Sequence, residues 1–77
     1  MSPYHIEKVN VTNQVVSFIQ SNIEDGTWPV GSKIPSENQL TEALGVSRPS
    51  IRAAIRHFVG LGVLDSIHGK GTFVISD

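Results

Sequence analysis

Seventy-seven residues with 39% hydrophobic content and no cysteine make one small domain with a thin core, burying about 60% of the surface its unfolded chain exposes, and exclude a disulfide framework or a thiolate metal site. A formal net charge of −1 argues against indiscriminate nucleic-acid binding, for which a strongly basic domain is the usual sign. No apolar run approaches the roughly 20 residues a membrane span needs, and MSPYHIEK lacks the basic-then-apolar order of a signal peptide, so the expectation is a soluble cytoplasmic domain with no membrane association.

Residues 1–9 show no period and read as a flexible arm before a domain spanning 10–77. Val11, Val15, Phe18, Ile19 and Ile23 form a helical stripe, with Asn10 or Thr12 suited to cap its start and Gly26 its end. TWPVGSKIP follows as a turn, and Lys33-Ile34 reads as a very short strand before Pro35. Ser36 to Gln39 spell S-x-x-Q, a capping box that opens a second, short helix buried through Leu40, Ala43 and Leu44. Gly45 stops it, Val46 points inward, and Ser47 is placed to cap a third helix with Pro49 in its first turn. Ile51, Ala54, Ile55, Phe58 and Val59 give that helix a full apolar face, and Gly60 and Gly62 end it. The tail changes period. Val63 to Ile67 and Thr72 to Ile75 read as strands joined by His68-Gly69-Lys70-Gly71. The fold class expected is α+β: a winged helix-turn-helix of three helices with a short strand and a C-terminal β-hairpin wing. Phe18, Phe58 and Phe73 are expected in the core, and Trp28 as a plug beside the first helix.

Net charge hides a polarity. Residues 1–47 sum to −3 and residues 48–70 to +3, which suggests an anionic partner met from one side. Arg48, Arg52 and Arg56 advance only about 40° each around a helix and so form one stripe that flanks the apolar face. With Ser50, Ala53 and His57 they make an exposed face of small and cationic groups that suits a DNA major groove. The planar guanidinium fork matches guanine O6/N7 or a phosphate. Gly69 and Gly71 let the hairpin backbone approach a surface closely, with Lys70 supplying charge and His68 a donor. The start of the second helix, at Ser36, Glu37 and Asn38, offers N–H groups to a phosphate.

Two helices separated by a short Gly-containing turn define the helix-turn-helix. Leu40, Leu44, Val46, Ile51 and Ala54 supply the apolar residues that this unit needs at its internal contacts. Thr41 departs mildly, at a place where close helix packing favours Ala or Gly.

The stretch PSENQLTEALGVSRPSIRAAIRHFVGLGVLDSIHGKGTFV resembles the winged helix-turn-helix domain of the GntR family of bacterial transcription regulators. The resemblance rests on Pro35-Ser36-Glu37, Leu40, Gly45-Val46-Ser47-Arg48, Ile51-Arg52, Ala54, Gly62 and Gly69-Lys70-Gly71-Thr72-Phe73-Val74. The wording Ser47-Arg48-Pro49-Ser50-Ile51-Arg52 looks most like the FadR-type branch, whose members carry a helical effector-binding domain after the DNA-binding domain. The resemblance implies that Arg48 and Arg52 make the main base and phosphate contacts, with Pro49 and Ser50 beside them. It also implies that His68 and Gly69 reach the minor groove. The position of Asn38 often holds Arg in such proteins, and that of Ala53 is often acidic. Arg56 is expected to be a phosphate contact or an ordinary solvated charge.

The candidate DNA-binding set is therefore Ser36, Glu37, Asn38, Ser47, Arg48, Pro49, Ser50, Arg52, Arg56, His68, Gly69 and Lys70. The implied function is sequence-specific binding of double-stranded DNA bearing a short inverted repeat, as part of a ligand-responsive regulator acting as a repressor. The full-length protein is expected to be a homodimer and the isolated domain monomeric or weakly dimeric, with a small-molecule effector acting only through a further C-terminal domain. A winged-helix protein-docking module and the DNA-binding part of an aminotransferase-fused regulator stand as alternatives. No enzyme activity, cofactor or metal is expected. His5, His57 and His68 lack metal-ligand spacing. Gly69-Lys70-Gly71-Thr72 lacks the earlier glycine of a phosphate-binding loop, Leu64 standing there, and has no Ser or Thr directly after the Lys, and Gly60-Leu61-Gly62 is followed at 65 by Asp where a dinucleotide fingerprint needs glycine.

Overall fold

The computed structural model describes residues 3–77, with side chains from Val11 onward. Its elements run α1 (Pro3–Glu24), α2 (Glu37–Leu44), α3 (Arg48–Gly60), β1 (Leu64–Ile67) and β2 (Gly71–Val74), which is the order of helices and hairpin read from the sequence.

The first helix begins earlier than its apolar stripe. Pro3 takes the first helical position, where its missing N–H costs no intrahelical bond, and no Gly or Pro follows until Gly26. The backbone from Pro3 is thus helical where a loose arm over 1–9 was expected, and Asn10 and Thr12 lie inside the helix and do not cap it. Met1 and Ser2 lie outside the described residues. Val15, Ile19 and Ile23 are buried at four-residue spacing, whereas Val11 is exposed. Phe18 is half-buried and meets Trp28 edge-on, with ring centroids 5.9 Å apart. The Trp28 backbone N–H donates to the Asn22 carbonyl at 2.9 Å, which ties the chain at Trp28 to the end of α1.

Helix α2 opens as its S-x-x-Q pattern requires. The Gln39 N–H donates to Ser36 Oγ at 3.1 Å and the Ser36 N–H donates to Gln39 Oε1 at 2.8 Å, so both halves of the capping box close. Gly45 ends the helix at φ 67°, in the left-handed region that a residue with a Cβ enters only at a cost. Of the residues expected to bury α2, Leu40 is buried and Leu44 is half-buried, while Ala43 is exposed. Helix α3 buries Ile51, Ala54, Ile55 and Phe58. Val59, at the rim of the same stripe, is 39% exposed.

The strands are one residue off the expected bounds at most ends. They pair antiparallel from Leu64↔Val74 to Ile67↔Gly71. Val63 stands outside β1, yet its carbonyl accepts the Ile75 N–H at 2.9 Å, so pairing continues past the last assigned rung. The expected strand at Lys33-Ile34 is a single bridge, Lys33↔Phe73, flanked by Ile34 N–H to the Thr72 carbonyl and Val74 N–H to the Ser32 carbonyl, both 2.9 Å. Pro35, which has no N–H to donate, ends it. β2 therefore lies between β1 and the connection that joins α1 to α2.

One core joins all elements: Val15, Ile19 and Ile23 of α1, Ile34, Leu40, the buried face of α3, and Leu64 and Val74 at the base of the hairpin. Beyond that base, Asp65, Ser66 and Ile67 are exposed and the hairpin projects outward. Of the three phenylalanines expected in the core only Phe58 is buried. Phe18 packs at the edge and Phe73 is half-buried on the projecting sheet.

Ile51 has no exposed surface, so Ile51→Ala should lower the unfolding free energy by about 2–5 kcal/mol, read by urea denaturation. Thr41 Oγ1 is buried and has no hydrogen-bond partner among the described residues. An orphaned hydroxyl costs about 1–3 kcal/mol, so the isosteric Thr41→Val should stabilise the domain by about 1 kcal/mol. A loss of stability in that variant would show that the hydroxyl is bonded in solution.

Candidate nucleic-acid interface

Three local structures meet on one side of the molecule. Pro49 lies in the first turn of α3 and Ser47 at its N-cap, with extended backbone. The Ser47 hydroxyl makes no cap bond to the helix. It lies 3.1 Å from Ser50 Oγ instead, so Ser47 occupies the expected position without the expected bond. Arg48, Pro49, Arg52 and Arg56 are exposed, and Ser50 is half-buried beneath them. The arginine stripe lies outside the buried face of Ile51, Ala54, Ile55 and Phe58, as four-residue spacing demands.

Both leading arginines reach back to the first turn of α2. Arg48 Nη2 donates to Asn38 Oδ1. Arg52 Nε donates to Glu37 Oε1 at 3.0 Å and lies 3.3 Å from Oε2. This ion pair is open to solvent, with side-chain exposures of 54% for Arg52 and 37% for Glu37. The sequence reading treats the α2 start and the arginine stripe as two separate contact groups; the structure joins them by two cross-helix pairs. The joining also alters the charge on offer, because the Glu37 carboxylate sits at the helix start expected to receive a phosphate and offsets Arg52. The pattern of the two helices does not reveal this, since the partners are 10 and 15 residues apart in sequence.

The wing completes the surface. Its tip is a turn closed by the Lys70 N–H to the Ile67 carbonyl at 3.0 Å. Gly69 stands at φ 78°, the left-handed conformation that favours Gly at such a place. His68, Gly69 and Lys70 are all exposed. A shallow depression lined by Glu37, Arg52, Arg56 and Ser66 connects the helices to the wing strand. A second one, between the α2 start and the wing tip, is lined by Lys33, Ser36, Glu37, His68 and Lys70 among others. Glu37 borders both.

Lys33 is a cation absent from the expected set. It is exposed, it is bridged to Phe73, and its aliphatic stem runs over Gly71, where a Cβ would lie 2.5 Å from Lys33 Cε. The usable signal was its alternation with buried Ile34 beside a wing that no sequence period ties to it.

His57 meets Phe58 edge-on at 5.2 Å and lines a depression with Gln20 and Glu24 at the end of α1. Among the described residues no group of His, Asp and Glu is placed to hold a metal ion, and no helix is long and apolar enough to cross a membrane.

A helix-turn-helix with an exposed arginine face and a β-hairpin wing beside it defines a winged-helix domain of the DNA-binding type. Residues 11–74 match the model of the bacterial regulatory proteins of the gntR family, and the chain belongs to that family. It is 36% identical over 72 residues to the uncharacterized HTH-type transcriptional regulator YdfD of Bacillus subtilis (strain 168), covering 94% of this chain and 15% of that protein. It is 41% identical over 61 residues to the histidine utilization repressor of Pseudomonas aeruginosa, covering 79% of this chain and 24% of that one. The chain thus spans a quarter or less of the length of these curated relatives. Among solved structures it superposes on the DNA-binding domain of AraR in complex with operator ORR3 at a TM-score of 0.81 and 45% identity, covering 83% of this chain and 77% of that one.

Exposed ion pairs contribute about 0–1 kcal/mol to stability. Glu37→Ala should therefore lower the unfolding free energy by less than about 1 kcal/mol, including the loss of a favourable charge at the α2 start, as measured by urea denaturation at two salt concentrations.

Proposed function

We propose that this chain binds double-stranded DNA in a sequence-specific manner, as the DNA-binding domain of a ligand-responsive transcriptional repressor. α3 enters the major groove and the wing tip lies at the minor groove or its flanking phosphates. The observation that carries this reading is the placement of Arg48 and Arg52 with the projecting wing on one exposed side of α3, opposite the core. The AraR domain, similar in fold and in nearly half its aligned residues, has been seen bound to operator DNA.

In this reading Arg52 and Arg48 contact bases and phosphates from the first two turns of α3, with Ser47, Pro49 and Ser50 beside them. Ser36, Glu37 and Asn38 border that contact from α2. His68, Gly69 and Lys70 form the wing contact. Arg56, a turn further along α3, reaches phosphate, and Lys33, whose stem runs over Gly71, adds a second cation beside Lys70. Two copies bind a short inverted repeat. Dimerisation and effector binding reside outside these 77 residues, as the greater length of the relatives supports, and the effector acts by favouring one of two arrangements that differ in DNA affinity. The Ser47-Arg48-Pro49-Ser50-Ile51-Arg52 wording supports the FadR-like branch.

The reading is tested by fluorescence anisotropy with a 20-base-pair duplex selected by the chain from a randomised pool. Affinity should fall steeply as salt rises. Arg52→Ala should cost about 1–3 kcal/mol and relax discrimination at one base pair, whereas Lys70→Ala should weaken all duplexes alike and reduce the salt slope by about 1. Binding of every duplex by Arg52→Ala as by wild type would refute groove reading by α3.

A further inference from the structure

On the reading that α3 contacts DNA bases, we infer that Glu37 is a positioning residue for Arg52: it anchors the guanidinium by its Nε–H edge so that the terminal amino groups form the reading fork. The contact is made by Nε alone, which donates to Oε1 at 3.0 Å and lies 3.3 Å from Oε2. A guanidinium has five N–H donors in a fixed plane; one terminal N–H shares the edge of Nε–H, and the end-on pair, one N–H from each terminal nitrogen, is left free of the carboxylate. Two parallel donors are what guanine O6 and N7 accept.

The anchor itself is firm. Glu37 is the first residue of α2, directly after Ser36, whose capping box with Gln39 fixes the local backbone. The helix dipole favours a carboxylate at this position. Arg52 grows from α3 between buried Ile51 and the exposed Ala53, and without Glu37 its long side chain would sample many rotamers. Holding it in one before contact reduces the ordering cost of binding. An exposed pair adds little to folding, and a carboxylate facing an anionic partner weakens contact with phosphates generally. Both points fit a residue that serves selectivity more than affinity or stability.

The test uses the 77-residue chain, the duplex it selects from a randomised pool, and poly(dI-dC) as the non-specific probe, with thermal melts confirming that each variant is folded. Glu37→Ala should lower the ratio of specific to non-specific affinity about tenfold, the lower end of what one bidentate base contact discriminates. Glu37→Gln keeps an oxygen that accepts the Nε–H, and should recover most of that ratio. In an Arg52→Ala background, Glu37→Ala should produce no further loss. A ratio unchanged by Glu37→Ala, a Gln variant as poor as the Ala variant, or an equal loss in the Arg52→Ala background each overturns the inference. If Arg52→Ala itself leaves every affinity unchanged, or no duplex is selected, it is the DNA-reading proposal that fails. If Arg52→Ala loses discrimination and Glu37→Ala does not, only the positioning role fails.

Discussion

Ile51 and Ala54 have no exposed surface, and the seat they take between α1 and α2 decides what the rest of α3 can present. A helix has one periodic face to bury. Once Ile51, Ala54, Ile55 and Phe58 are committed to the core, Arg48, Arg52 and Arg56 are turned outward together, with no freedom to rotate out of line. The same seat brings the first turn of α2 alongside α3, which makes the Arg48–Asn38 and Arg52–Glu37 pairs possible. The recognition surface is thus a by-product of packing in its direction and a matter of polar side chains in its detail.

The wing depends on a different constraint. Two strands alone are marginal in water, and here only the base of the hairpin is buried, through Leu64 and Val74. The single bridge at Lys33 and its flanking hydrogen bonds tie β2 to the connection between α1 and α2. That tie keeps the wing tip at a set distance from the α2 start, and it brings Lys33 beside Lys70 and His68 across a shared depression.

Most of the architecture was legible because the signals were local. S-x-x-Q marked the capping box, Gly45 marked the left-handed stop, and four-residue periodicity assigned the buried faces of α1 and α3. Where the reading missed, the cause was a non-local or competing term. The apolar stripe that marks α1 starts at Val11, although nothing between Pro3 and Gly26 breaks a helix. Ser47 sits at the N-cap as expected, but its hydroxyl pairs with Ser50 Oγ and makes no cap bond. The cross-helix pairs of Glu37 and Asn38, and the approach of Lys33 to the wing, depend on tertiary placement that no single segment encodes. Thr41 stood out in both views, as a residue larger and more polar than its helix contact favours and as a buried hydroxyl without a partner.

The division of α3 into an anchored face and an outward one also bears on how such a domain diverges. The outward side chains of Arg48, Ala53 and Arg56 carry little packing, so exchanging them leaves the core untouched. Specificity can then drift among duplicated copies while the scaffold stays constant. Arg52 is the exception, since its partner on α2, Glu37, is charged, whereas Asn38, the α2 partner of Arg48, is neutral. A change at either position exposes an unmatched charge, so the two are expected to change together, and that coupling narrows the routes by which one target sequence can be traded for another.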